Sequence, residues 1–233
     1  MSKTVVIQSN YIPWKGYFDM VRRADHFVVY DDVQYTKNDW RNRNKIVTAV
    51  GVQWITIPVI QAHLDQKIKD TKVADPFWAK KHWKTLSQAY AKAPFFKQYR
   101  DLFEKVYRDF REEYLSPINL KLITVINDIL GVKTVLSSSG DYDLKESDPS
   151  ARLVEICTKI GTREYITGPA AKNYLREELF AAAGIRLTYM DYSGYPEYHQ
   201  LISPFTHEVS ILDLIFNEGP NATRYMKTFA PVS

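Results

Sequence analysis

The residues most able to do chemistry cluster near the start of the chain. Gln8, Asn10, Tyr11, Trp14 and Tyr17 follow directly on the apolar run Thr4-Val-Val-Ile7. A second apolar run, Phe27-Val-Val-Tyr30, ends in Asp31-Asp32 and leads through Tyr35 to Trp40-Arg-Asn-Arg-Asn-Lys45. Carboxylates accept protons, arginine forks match phosphate oxygens, and amides read hydroxyls or base edges. Tyrosine and tryptophan offer flat faces to sugars and bases. Neighbouring residues on a strand point to opposite faces, so Asp31 and Asp32 do not form a matched pair. One serves as a general base or binds a sugar hydroxyl while the other caps a turn; an ordinary acidic turn is the plain alternative. No spaced carboxylate set accompanies them, so no metal is expected. Arg41, Arg43 and Lys45 alternate along a candidate strand. Asn42 and Asn44 between them favour binding, because asparagine is a poor strand former.

Further candidates lie downstream. Lys81 and His82 fall beside Trp78, Trp83 and Tyr90, and histidine titrates near neutrality. A histidine on a helix is also a common structural residue. Thr167-Gly-Pro-Ala-Ala-Lys172 is a small-residue turn at an expected helix start, where Gly168 and Lys172 could hold a phosphate, or simply turn the chain. Tyr198-His-Gln200 and Phe205 precede the last helix and could close over the same cleft. Neither a Walker loop nor a dinucleotide glycine fingerprint is present, nor a nucleophile elbow. Cys157 sits among Leu153 and Ile160 at core spacing and reads as an inert buried thiol.

These groups must be placed by strands and helices. The pattern predicts a strand near 3–8, a helix near 15–24 and a strand near 26–31. A hairpin pairs 43–48 with 52–57 around Ala49-Val-Gly51. Residues 60–75 read as loop. Helices follow from Asp75-Pro76 to Leu130, broken at Ala93-Pro94 and restarted at Ser116-Pro117. The alternation then returns: strands at 134–137, 164–167 and 185–189, with helices near 149–160, 170–183 and 209–217. The expected fold is α/β, a doubly wound and mostly parallel sheet with a β-hairpin and a helical insertion. The expected division is an α/β domain of residues 1–58 and 132–233 and a helical subdomain of 59–131. Ligands then belong at the carboxyl ends of the strands.

Bulk properties narrow the partners. With 45% hydrophobic and 25% charged residues among 233, the composition is that of a soluble globular chain. No apolar run reaches the roughly 20 residues needed to span a bilayer. One cysteine excludes an internal disulfide and fits a cytoplasmic location. Residues 1–139 hold 22 Lys+Arg against 14 Asp+Glu, while residues 140–233 hold 9 against 13. The basic half suits a partner carrying phosphates or carboxylates. No RNA-binding module signature is present, so nucleic acid is not the expected partner.

Together, Gln8-Ser-Asn-Tyr-Ile-Pro-Trp-Lys-Gly-Tyr-Phe-Asp19, Asp31-Asp-Val-Gln-Tyr35 and Trp40-Arg-Asn-Arg-Asn44 resemble the WbqC-like protein family. Lys81-His82, Tyr90-Ala-Lys-Ala-Pro94, Tyr165-Ile-Thr-Gly168 and Tyr198-His-Gln200 with Ser210-Ile-Leu-Asp213 add weaker matches, and the likeness covers nearly the whole chain. The resemblance implies a setting in bacterial O-antigen and other surface polysaccharide synthesis, and work on a sugar nucleotide in the cytoplasm. The expected activity is acyl or aminoacyl transfer to the amine of a nucleotide-linked sugar. No cofactor is identified beyond an activated acyl donor. Arg41, Arg43, Lys81 and Lys172 are expected to hold phosphates. Asn10, Asn42 and Gln200 are expected to orient hydroxyls, and Asp32 or His82 to take the amine proton. The other class is a non-catalytic sugar-nucleotide binder or assembly protein of the same pathway.

Overall fold

A computed structural model describes residues 2–229 of the chain. The expected domain bounds therefore run past the described residues at both ends.

The core elements follow from alternation. In β1 (Lys3–Ile7) Val5 and Val6 point to opposite faces, as do Phe27 and Val28 in β2 (His26–Val29). Both faces are covered, which is why these strands are apolar on both sides. β1 and β2 pair in parallel with Val5 opposite Phe27. β7 (Val135–Ser138), β8 (Glu164–Thr167) and β9 (Arg186–Tyr189) complete a five-stranded sheet in the order β7-β2-β1-β8-β9, with every pair parallel. The chain therefore winds outward from β1 in one direction and then, starting at β8, in the other. The order reverses between β1 and β8, and the carboxyl ends of those two strands bound the crevice where such sheets take ligands.

Helices cover the two faces. α1 (Lys15–Arg23), α4 (Leu115–Leu130) and α7 (Ile211–Glu218) pack with Val5, Phe27, Val29 and Ile166. α5 (Pro149–Ile160) and α6 (Glu177–Ala182) pack with Val6, Val28, Tyr30 and Tyr165. α5 starts where Asp148 accepts the Ala151 N–H at 2.9 Å, with Pro149 in the first helical position, and stops at Gly161 in the left-handed region. α2 (Trp78–Ala89) and α3 (Phe96–Arg108) join the same core through Leu86, Phe103 and Tyr107. One continuous cluster thus runs from the sheet into helices α2–α4. Treating 59–131 as a subdomain is a proposal, which expression of the chain with that segment excised would test. No described helix is long and apolar enough to cross a membrane.

The hairpin of β3 (Arg43–Thr48) and β4 (Gly51–Thr56) stands apart from the sheet. Residues 60–75, read as loop, are more ordered than periodicity suggested. They hold two short paired strands, β5 (Val59–Ile60) and β6 (Lys72–Val73). The buried Gln66 amide closes them, donating to Ile60 O and Thr71 Oγ at 2.9 and 3.0 Å. The helix expected near 170–183 is two pieces, a 3₁₀ turn at Pro169–Asn173 and α6, because the Arg176 N–H turns to Ser150 Oγ instead. Asp75 does not cap α2 directly. It accepts the Phe77 N–H at 2.9 Å, one residue before the helix begins.

Candidate functional site

The carboxyl ends of β1 and β2 are tied together by a buried acid. Asp31 accepts from Ser9 N at 2.8 Å and from Ser9 Oγ at 2.7 Å. Burial pushes the Asp31 carboxyl above its ordinary range, and hydrogen bonds from Ser116 and Ser9 with the nearby Arg41 charge partly offset this. Asn119 on α4 donates to Ser9 Oγ and to Arg41 O at 3.0 and 2.8 Å. Tyr17 donates to Gln8 O at 3.2 Å. The turn after β1 is therefore fixed from three sides before any ligand arrives.

Two cavities open on this turn. The first, of about 450 Å³, lies at the reversal of strand order, where Gln8 and Gly168 at the ends of β1 and β8 line it with Tyr30, Arg152 and Tyr174. Arg152 comes from the first turn of α5, with its guanidinium 5.8 Å from the Tyr30 ring centre. Its Nε is buried without a hydrogen-bond partner, and no described carboxylate forms an ion pair with the guanidinium. Arg152 is half-buried, and a guanidinium without a carboxylate partner can form charge-assisted hydrogen bonds to a phosphate.

The second cavity, of about 360 Å³, is lined by Asn10, Pro13, Trp14, Trp40, Asn44 and Glu208. Indoles with amides and a carboxylate between them suit a sugar ring, which has apolar faces and hydroxyl edges. Trp14 lies over Gly16 and packs on Tyr192 and Tyr195 with ring centres at 5.1 and 5.8 Å. A Cβ at position 16 would sit 2.3 Å from the Trp14 ring, so only glycine leaves room for it. Glu208 pairs with Lys45 at 2.7 Å. Arg41 joins the two cavities: it donates to Asn10 and to Gln8 Oε1, the latter at 3.4 Å, and pairs with Asp39 at 3.4 Å.

Other residues singled out in the sequence lie elsewhere. His82 is buried, with Nδ1 2.8 Å from Tyr11 Oη and Nε2 3.0 Å from Thr56 O. The carbonyl accepts only, so Nε2 carries the proton and Nδ1 accepts from Tyr11. Burial lowers the ring to about 4 and keeps it neutral. With both nitrogens taken, His82 positions Tyr11 and has no free nitrogen for a substrate. Lys81 is exposed and paired with Asp75 at 2.6 Å. Lys172 is exposed, its ammonium 5.0 Å from the Tyr189 ring centre, and it lines neither cavity. Gln200 is buried and spends its amide on Asp213 Oδ2 and on the Thr206 N–H and carbonyl, so it shapes the 198–206 loop. Tyr35, Asn42 and Arg43 meet in a separate small cavity on the hairpin side.

Asp32 is the remaining acid. It accepts from Ser139 Oγ at 2.7 Å and pairs with Lys69. Burial raises its pKa, but Lys69 and Ser139 outweigh this and hold the carboxyl below its ordinary range. Cys157 is buried, and its thiol is pushed up to about 12 by desolvation, which leaves it unreactive. Arg152, Glu208, Ser9 and Asn119 were not singled out. Arg152 had a signal: the Asp148-Pro149 helix start places it in a first turn that faces the carboxyl edge of the sheet.

The model of the WbqC-like protein family matches residues 8–225. The chain is 43% identical over 228 residues to the uncharacterized protein Rv1507c of Mycobacterium tuberculosis, an overlap of 97% of this chain and 98% of that one. No solved structure matches.

Proposed function

The chain belongs to the WbqC-like protein family, and we propose that it is a transferase acting on a nucleotide-linked amino sugar in bacterial surface polysaccharide synthesis. The observation that carries this reading is Arg152, a half-buried guanidinium that lines the cavity at the strand-order reversal and pairs with no described carboxylate. The nucleotide lies there, with its phosphates on Arg152 and its base against Tyr30 or Tyr174. The sugar reaches past Gln8 and Arg41 to the cavity between Trp14 and Trp40, where Asn10 meets its hydroxyls.

The step is acyl or aminoacyl transfer. The sugar amine attacks the carbonyl carbon of an activated donor, a thioester or acyl phosphate. A C–N bond forms, the C–S or C–O bond to the leaving group breaks, and the leaving group departs as thiolate or phosphate. The amine proton passes to a base, for which the candidate is Asp32, flanked in sequence by the cavity residues Tyr30 and Val33 though its own carboxylate lines neither cavity. A carboxylate held low is a poor base for a neutral amine but an adequate acceptor for the cationic nitrogen formed on attack.

The alternative is a non-catalytic sugar-nucleotide binder. It is favoured by the engagement of both proton acceptors read from the sequence, Asp32 by Lys69 and His82 by Tyr11 and Thr56. Incubation with amino-sugar nucleotides and a panel of acyl thioesters, followed by mass spectrometry, tests the proposal. A nucleotide sugar heavier by one acyl group supports the transferase. Tight binding with no product under any donor supports the binder.

A further inference from the structure

Glu208 is the one acid among the described residues that line the two cavities, and it lies in the cavity between Trp14 and Trp40. Its backbone N–H donates to Thr206 Oγ1 at 3.2 Å. Two residues on, the Ser210 N–H donates to Lys45 O at 2.9 Å, which fastens this stretch to β3. The Glu208 side chain is 74% exposed, so its carboxylate faces solvent and not the core. Oε2 pairs with Lys45 at 2.7 Å, while Oε1 takes no hydrogen bond from any described residue. The hydrogen bond and charge of Lys45 hold the carboxyl below its ordinary range, so it is ionised at neutral pH.

That carboxylate sets what the cavity favours. An ionised carboxylate only accepts hydrogen bonds. A sugar bearing its own carboxylate or phosphate beside Glu208 would meet like charge. A hydroxyl there makes an ordinary hydrogen bond, whereas an ammonium makes a charge-assisted one. Lys45 does not exclude a second cation, because one carboxylate offers about four acceptor sites. The Lys45 ammonium also rests 5.9 and 5.5 Å from the Trp40 and Trp54 ring centres, which hold it through their π faces. Arg41, which donates to the cavity residue Asn10, carries its own counter-charge in Asp39.

We propose that Glu208 is the specificity-determining residue of this cavity, selecting sugars with a free amine by binding the ammonium beside Lys45. The assignment rests on the reading that places the sugar here, with Glu208 as the group that meets its amine. Acylation turns the ammonium into an uncharged amide. The contact that favours the substrate is therefore lost in the product, which eases its release.

The test is a nuclear magnetic resonance titration that follows the Trp14 and Trp40 indole N–H signals. The probes are the methyl glycosides of glucosamine, N-acetylglucosamine and glucose, none of which carries a nucleotide. The amine glycoside should bind about threefold to fivefold more tightly than the other two, the range of an exposed ion pair. The preference should shrink in about 1 M salt. In Glu208→Gln the three affinities should converge, and in Lys45→Met, which frees the carboxylate, the amine preference should widen. Equal affinities in wild type, or an undiminished preference in Glu208→Gln, would overturn the proposal and leave the sugar in this cavity. No shift of either indole with any glycoside would overturn it together with that placement. Nucleotide binding at Arg152 stands apart from all these outcomes, so the readings are separable.

Discussion

Asn44 Nδ2 donates to the carbonyl of Ile12 at 2.9 Å, and Ile12 holds a backbone φ of 37°. A β-branched residue in that region costs about 1–3 kcal/mol and persists only where its surroundings hold it. Asn44 also donates to Tyr11 O at 3.1 Å, and Tyr11 N donates to Trp40 O at 3.0 Å. The hairpin thus clamps the turn that carries Asn10 and Trp14 into the second cavity.

Removing the clamp should release the turn. Asn44→Ala leaves two buried carbonyls short of a donor, at about 1–3 kcal/mol each. Chemical denaturation should show a loss of about 2–6 kcal/mol for the pair, and binding of an amino-sugar nucleotide should weaken with it. Unchanged stability and unchanged binding in Asn44→Ala would show that the turn does not depend on this clamp.

His82 should respond to acid as a stability group and not as a catalyst. Its ring titrates near 6.5 when unfolded and about 4 when folded. The unfolded state therefore binds more protons in that window, and stability is lost as pH falls from about 6.5 to 4. The loss amounts to about 3 kcal/mol at pH 4 relative to pH 7. His82→Gln should flatten this dependence in denaturation curves taken across the window. Where turnover is measurable, it should fall by less than tenfold at neutral pH; a drop of about 10²–10⁴ would restore His82 as a base.

Asp213 should show the opposite slope. It is buried, accepts from Tyr198 Oη and Gln200 Nε2 at 2.7 Å each, and is raised by desolvation to about 6. The folded state binds more protons than the unfolded state between about pH 4 and 6. Stability from this group is therefore greatest below about 4 and falls, by about 2–3 kcal/mol, as pH rises through 6. In the native chain this slope and that of His82 oppose each other. Asp213→Asn should unmask a steeper acid loss than wild type shows. Parallel curves for the two proteins would remove Asp213 as a titrating group.

The fold was legible where local patterns carry it. The apolar runs Thr4-Val-Val-Ile7 and Phe27-Val-Val-Tyr30 read as strands, and the helix expected near 149–160 is found at those bounds. The α/β class with its hairpin followed from these. The strand order did not, because pairing of β1 with β8 is long-range, and with it went the reversal that locates the cleft. The parts of the site on one contiguous stretch, Gln8, Asn10, Trp14 and Arg41, were visible as residue types that have little reason to sit in a core. Glu208 reaches the same region from a distant loop, and position in sequence says nothing of that approach, while Arg152 was signalled only by its place in the first turn of α5. His82 and Gln200 misled for a related reason: a titratable or amide side chain is visible in a sequence, but the partners that saturate it are not. Lys81 and Lys172 read as cations near the site and proved to be surface ones.

The placement of the nucleotide on Arg152 is tested most directly by calorimetric titration of amino-sugar nucleotides into wild type and Arg152→Ala. A charge-assisted contact to phosphate is worth about 1.5–3 kcal/mol, so the variant should bind at least tenfold more weakly while unfolding at the same temperature. Equal affinity in the two proteins, or no binding heat with any nucleotide sugar, would contradict the account.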